Sequence, residues 1–206
     1  MHRLLDLLFP PRDDERLIRD LEPDGLFSAL SPQLVPATRP GTAVLLPFHD
    51  PVVRAAIHEA KYHGSARASN LLAVALAEYL RDADESSRHV VIVPVPLGNV
   101  RRRERGFNQT EEVILQTLPF LEETGRFTID VELLMRVRET ASQVSLPRHA
   151  REENMRGAFG ATHAADPAHL YIVLDDVVTT GATLQAAIDA LTEAGAKNIL
   201  PLALAH

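Results

Sequence analysis

Two adjacent carboxylates, Asp175 and Asp176, close an apolar run, and Thr179, Thr180, Gly181, Ala182 and Thr183 follow after Val177 and Val178. In an open sheet of alternating strands and helices, ligands bind beyond the carboxyl ends of the strands. A strand ending near Leu174 and a helix opening at Gly181 would put both groups there. The first helical turn offers free backbone N–H groups and the positive end of the helix dipole, and three hydroxyls join them, so the segment forms a cradle for a phosphate dianion. Gly181 lets the backbone come close to it. The carboxylates would repel that phosphate, so they must face a neutral or cationic part of the ligand, either ribose hydroxyls or a metal. A 5-phosphorylated ribose meets both demands. Other phosphate chemistries fit worse: the chain has no G-x-x-x-x-G-K-[ST] and no G-x-G-x-x-G, the marks of a P-loop and of a dinucleotide site. An aspartyl phosphatase needs a second carboxylate two residues on, where Val177 stands.

The elements that must position these residues are legible from apolar periodicity. "RHVVIVPVPLGNV" is a continuous Val/Ile run of the kind buried on both faces of a parallel sheet, and Pro94 and Pro96 end it. "IDVELLMRV", "HLYIVL" and "NILPLALA" read as three further strands. Between them lie helices. Asp50 caps one that starts at Pro51, with Val53, Ala56, Ile57 and Ala60 on one face and Gly64 as its stop. Others span about Ala66 to Leu80, then, after a loop that runs to Arg105, Asn108 to Leu118, and Gly181 to Ala194, where Leu184, Ile188 and Leu191 point inward and Gly195 caps the end. Arg138 to Gly157 lacks an apolar period in its first half and is expected to be a long mobile loop that runs into a short helix near Pro147. This order predicts an α/β fold with a parallel sheet, right-handed crossovers and helices on both faces. Residues 1–47 are proline-rich, with short helical stretches near Leu4 to Leu8 and Asp14 to Leu21. They are expected to form an appendage to a domain spanning 48–206.

With these blocks in view, "VLDDVVTTGAT" resembles the phosphoribosyl-pyrophosphate (PRPP) motif of type I phosphoribosyltransferases. "KYHG", "PVPLGNVRRRERGFNQT", "LMRVRETASQ" and "REENMRGAF" together are similar to the ComF family of phosphoribosyltransferase-like proteins associated with bacterial competence. The similarity runs from about Pro51 to the C-terminus. It implies that Asp175 and Asp176 contact the ribose hydroxyls, that Val177 and Val178 belong to the PRPP-binding stretch, and that Thr179, Thr180, Gly181, Ala182 and Thr183 hold the 5-phosphate. Leu97, Gly98 and Asn99 fall where the pyrophosphate loop lies in such enzymes. Arg138 to Arg156 corresponds to the flexible loop that closes over the reaction, with Arg138, Gln143, Arg148, Arg151 and Arg156 as candidate anion contacts. Arg101 and Arg105 in "RRRER" would on their own be a solvated helix face partnered by Glu104; just after a pyrophosphate loop they point to anion binding. Asn108 is either a helix cap or part of the same site. The resemblance further implies Mg2+, carried by PRPP rather than by protein ligands, and transfer of phosphoribose to a nitrogen nucleophile. ComF-type proteins commonly open with a cysteine zinc ribbon, and "LLDLLFPPRDDERL" looks like its flank without the cysteines, so no zinc is expected.

Composition narrows the partners. The chain has 28 acidic and 21 basic residues and a net charge of -7, so no global field draws it onto nucleic acid or an anionic membrane. Aromatics are 5% of the sequence, too few for an evident single-stranded nucleic-acid platform, and no base-recognising hood is visible. With no cysteine there are no disulfides and no thiolate chemistry. The apolar stretch at the N-terminus is broken early by Asp6, Pro10 and Pro11, so a cytoplasmic protein without a membrane segment is expected. Two functions compete: a transferase acting on PRPP, and a non-catalytic binder of PRPP or a phosphoribosylated nucleotide that assists DNA uptake beside a helicase partner. Similar enzymes are commonly homodimers.

Overall fold

The computed structural model describes residues 11–83, 88–121, 125–138, 140 and 148–206. Six strands form the main sheet. In chain order they are β1 (Gln33–Val35), β2 (Thr42–Leu46), β3 (Val90–Pro94) and β4 (Phe127–Ile129), then, after the separate β5 (Leu134–Arg136) and β6 (Phe159–Ala161), β7 (Leu170–Val177) and β8 (Asn198–Ala205). Their spatial order is β1-β2-β8-β7-β3-β4. All neighbours run parallel except β1, which lies antiparallel on β2 at one edge.

Strand periodicity sorts the side chains into two cores. Val90, Ile92, Ile172, Leu174, Leu202 and Leu204 point to one face, their neighbours Val91, Val93, Tyr171, Val173 and Ala203 to the other. Helices α1 (Asp13–Arg19), α2 (Pro51–His63), α3 (Ala66–Ala83) and α5 (Gln109–Thr117) cover the first face through Ile18, Ile57, Leu72, Leu76 and Ile114. Helix α7 (Ala182–Glu193) covers the second through Leu184, Ala187 and Leu191, joined by the antiparallel hairpin of β5 and β6. The expected α/β architecture with helices on both faces is therefore present. Asp50 caps α2 as expected, accepting from the N–H groups of Val52 at 2.8 Å and Val53 at 3.1 Å, and Gly64 ends it at φ 58°.

Three expectations change in detail. "IDVELLMRV" is two strands in different sheets, because the Asp130 carboxylate accepts from the N–H groups of Glu132 at 3.1 Å and Leu133 at 2.8 Å and turns the chain between β4 and β5. Thr42–Leu46, on the appendage side of the expected boundary, is wholly buried and pairs with β8 inside the main sheet. The polar stretch after Gly98 is helical, as α4 (Asn99–Arg105), rather than a loop. The short helix expected near Pro147 is α6 (Arg148–Met155), and residues 141–147 of the expected mobile loop lie outside the described residues.

Helix α1 is tied to α2 by a two-pronged ion pair in which Arg12 donates to Glu59 at 2.8 and 2.6 Å. Glu59 is 1% exposed and its carboxyl is held below its ordinary value of 4.5, first by the Arg12 hydrogen bonds. A depressed carboxyl contributes stability above its unfolded value and loses it as pH falls. Arg12→Ala is expected to cost about 1–3 kcal/mol at pH 7, discounted because the arginine itself is half-exposed. The gap between variant and wild type in thermal melts should narrow as pH falls through 4.5. A gap that is constant with pH would assign the cost to packing instead.

Candidate functional site

The site lies at the carboxyl ends of β3 and β7, around a cavity of about 540 Å3 lined by residues of α2, α4, α5, β5 and β7 and the start of α7. Asp175 and Asp176 are the two residues before the last of β7 rather than residues following it, with Asp175 in register with Ala203. Asp176 shares the parity of Ile172 and Leu174, so it points to the α2 and α5 side, where it is 6% exposed. Lys61 of α2 sits 2.5 Å from its Oδ2, and the Gln109 amide of α5 donates to the same oxygen at 2.8 Å. Gln109 in turn accepts from Arg105 at 3.0 Å, and the Arg105 guanidinium lies 5.1 Å from the centre of the Tyr62 ring.

Asp175 lines the main cavity and also a recess of about 50 Å3 enclosed by residues 177–184. Burial and the neighbouring Asp176 charge push its carboxyl up to about 7 from an ordinary 3.8; Lys61, the Asp176 N–H and Arg101 pull the other way. A carboxyl poised near neutrality in a cleft marks a candidate functional group.

The recess forms where β7 passes into α7. Gly181 is the N-cap of α7 at φ 77°. A Cβ there would lie 2.1 Å from the Ala37 carbonyl oxygen, so only glycine fits. The segment that presses against it, residues 36–39, belongs to the region from which no chemistry was expected. Its Arg39 N–H bonds to Gln185 of α7 at 2.8 Å.

The remaining candidates divide. Leu97, Gly98, Arg101 and Arg105 line the cavity, as do Val177, Thr179 and Thr183. Val178, Thr180 and Ala182 line the recess. Asn99 is exposed and is not part of the cavity wall. Asn108 is a structural cap: its Oδ1 accepts from Thr110 N–H at 3.2 Å and its amide donates to the Val95 carbonyl at 3.1 Å. Arg138 braces the hairpin by donating to the carbonyls of Asn154 and Arg156 at 2.9 and 2.7 Å. Arg151 reaches Thr179 at 3.5 Å, which brings α6 to the loop between β7 and α7. Gln143 and the side chain of Arg148 lie outside the described residues.

Sequence reading missed the part of Lys61 and Gln109. Each sits in a block that carries the family resemblance, but a lysine in the last turn of a helix reads as a partner of the helix dipole. Only the meeting of α2 with β7 shows otherwise.

A mostly parallel sheet with helices on both faces, and a carboxylate pair beside a threonine-glycine loop at its carboxyl edge, is consistent with a type I phosphoribosyltransferase-like fold. No family profile matches the chain. Among curated proteins it is 37% identical over 108 residues to DNA utilization protein YhgH of Salmonella typhi, covering 52% of this chain and 45% of that protein. YhgH of Escherichia coli K12 is 35% identical over 108 residues, with the same coverage. Competence protein F of Haemophilus influenzae is 31% identical over 117 residues, covering 56% and 49%. The chain spans about half the length of the curated relatives it matches. The likeness to Competence protein F is in line with the resemblance of the sequence blocks to the ComF family.

Proposed function

We propose that the chain binds PRPP with Mg2+ and transfers its phosphoribose to a nitrogen nucleophile, releasing pyrophosphate. The observation that carries this reading is that the phosphate-sized recess and the main cavity share Asp175, Val177, Thr179 and Thr183 in their walls, and that Arg101 and Arg105 line the same cavity. In this reading the recess takes the 5-phosphate, the carboxylate takes ribose hydroxyls, and the arginines face the leaving group. The C1–N bond forms as the bond from C1 to the pyrophosphate oxygen breaks. Positive charge builds on the ribose, which Asp175 favours, and negative charge moves to pyrophosphate, which the arginines stabilise.

In this reading the metal arrives on the substrate. Among the described residues there is no group of three or more His, Asp or Glu side chains placed to hold an ion. Bound Mg2+ would supply neutralisation of pyrophosphate charge.

A second reading rests on the relatives, which are named for DNA utilization and competence. In it the chain is an accessory to DNA uptake that uses the same site to sense PRPP or a nucleotide, beside a helicase partner. Fold alone does not separate the two. Calorimetric titration with PRPP, with and without Mg2+, is expected to show saturable Mg2+-dependent binding that the Asp175→Asn/Asp176→Asn double variant loses. Screening bases and amines for pyrophosphate release then decides: binding with release supports the transferase, and binding without release supports the accessory. Absence of binding would overturn both uses of the site.

A further inference from the structure

We propose that the two carboxylates have unequal tasks: Asp175 alone takes the ligand's hydroxyls, while Lys61 and Gln109 are positioning residues that fix Asp176 as a buried counter-charge. The proposal rests on the phosphoribose reading for the ligand, and on geometry for the division of labour.

Asp176 has little acceptor capacity left for a ligand: of a carboxylate's roughly four lone-pair sites, three are taken. Its Oδ1 accepts from the Val177 N–H at 2.7 Å, and its Oδ2 accepts from Lys61 at 2.5 Å and Gln109 at 2.8 Å. Asp175 is different. Its Oδ1 accepts from the Asp176 N–H at 2.9 Å, and among the described residues its Oδ2 has no hydrogen-bond partner. That oxygen belongs to a residue that lines both the cavity and the phosphate recess, where a phosphorylated ribose would present its hydroxyls.

The arrangement around Asp176 closes on itself. Arg105 donates to the Gln109 carbonyl oxygen, which forces the amide nitrogen of Gln109 towards Asp176, because a flipped amide would set NH2 against the guanidinium. Arg105 also stacks on Tyr62, the residue after Lys61. Five side chains from four elements thus hold one another, and the positive charge of Lys61 compensates a carboxylate that would otherwise be buried unpaired. The charged and titratable groups that face the carboxylate pair are Lys61, His58 and Tyr62 from α2, Arg101, Glu104 and Arg105 from α4, and Arg136 from β5. Arg151 of α6 meets Thr179 beside them.

The test uses the full chain with PRPP and Mg2+ as the probe, together with an NMR titration of the Asp175 carboxylate without ligand. Asp175→Asn is expected to weaken PRPP binding about a hundredfold, and Asp176→Asn only severalfold, since hydrogen bonds to a charged group are the larger loss. Lys61→Met is expected to weaken binding roughly tenfold and to raise the Asp175 titration midpoint, because Lys61 pulls that carboxyl down. Lys61→Arg should return both readouts towards wild type, and the Lys61→Met/Asp176→Asn double variant should bind better than Lys61→Met alone. Equal losses in Asp175→Asn and Asp176→Asn would overturn the proposal, as would a Lys61→Met protein with an unshifted Asp175 titration. If wild type fails to bind PRPP, the proposed function falls, and the ligand-free titration still decides the part of Lys61.

Discussion

Gly181→Ala is expected to lower the melting temperature by roughly 6–12 °C, equivalent to about 3 kcal/mol in a chain of this size, and to abolish phosphate-dependent binding. Gly181 sits at φ 77°, which a side chain disfavours. Its added Cβ would also stand 2.1 Å from the Ala37 oxygen and 2.6 Å from the Ala37 carbonyl carbon. Both are backbone atoms, so no rotamer change relieves the overlap; either the 36–39 segment or the first turn of α7 must move. Movement of α7 opens the recess and misdirects the N–H groups that would meet a phosphate, so stability and binding fall together. Gly106 supplies the control: φ is 78° there too, yet a Cβ at that position would meet nothing within 4 Å. Gly106→Ala should cost only the conformational term, about 1–2 kcal/mol. Equal melting losses in the two variants would show that the contact with Ala37 contributes nothing.

The strands and the turn that gathers residues 175–183 at one sheet edge were legible because each rests on a local rule. Continuous Val/Ile runs between turn residues make buried parallel strands, and a strand that runs through a Thr-Thr-Gly turn into an amphipathic helix sets the residues of that turn at the carboxyl edge of the sheet. Pro94 and Pro201 show how far such rules bend. A central strand should exclude proline, but each sits where one neighbour has run out. Pairing of β3 with β4 stops at Ile92, and pairing of β8 with β2 starts at Leu202.

What was not legible depends on long-range meetings. Thr42–Leu46 is a short apolar run between Gly41 and Pro47, and nothing local distinguishes it from a loop until β8 lies beside it. The break at Asp130 is an Asx turn inside a run that otherwise reads as strand. Lys61 and Asp176 are far apart in the chain, and their ion pair exists only because α2 packs over the end of β7. The two carboxylates looked equivalent in the sequence; the partners that make them different come from α2 and α5.

That difference gives the second large prediction: Asp175→Asn should melt at a higher temperature than wild type at pH 8 while binding PRPP far more weakly. Burial, then the charge on Asp176, raise the Asp175 carboxyl to about 7 in the folded chain, against 3.8 ordinarily. Between those values the folded chain keeps a proton that the unfolded chain has released. The stability this proton provides is fully present below 3.8 and is lost as pH rises to about 7. Asparagine never ionises and can still accept from the Asp176 N–H through its Oδ1, so the variant escapes that loss. Its advantage should be nil near pH 3.8, grow through neutrality and level off above pH 7. On the order of 2 kcal/mol is expected, since the cavity leaves Asp175 partly accessible, which corresponds to roughly 4–8 °C in melting temperature. Ligand binding should run the other way. Ribose hydroxyls donate, so they need the ionised carboxylate, and wild-type affinity should fall towards about tenfold per pH unit below the midpoint. The phosphates of PRPP also titrate, near pH 6, and the asparagine variant carries that contribution alone, so the difference between the two profiles isolates Asp175. A variant that melts at or below wild type at pH 8 would remove the strained carboxylate from the account. A site that gives up stability to hold a charge ready for a ligand is the ordinary trade between folding and function, and under the proposed function one side chain would carry both halves of it.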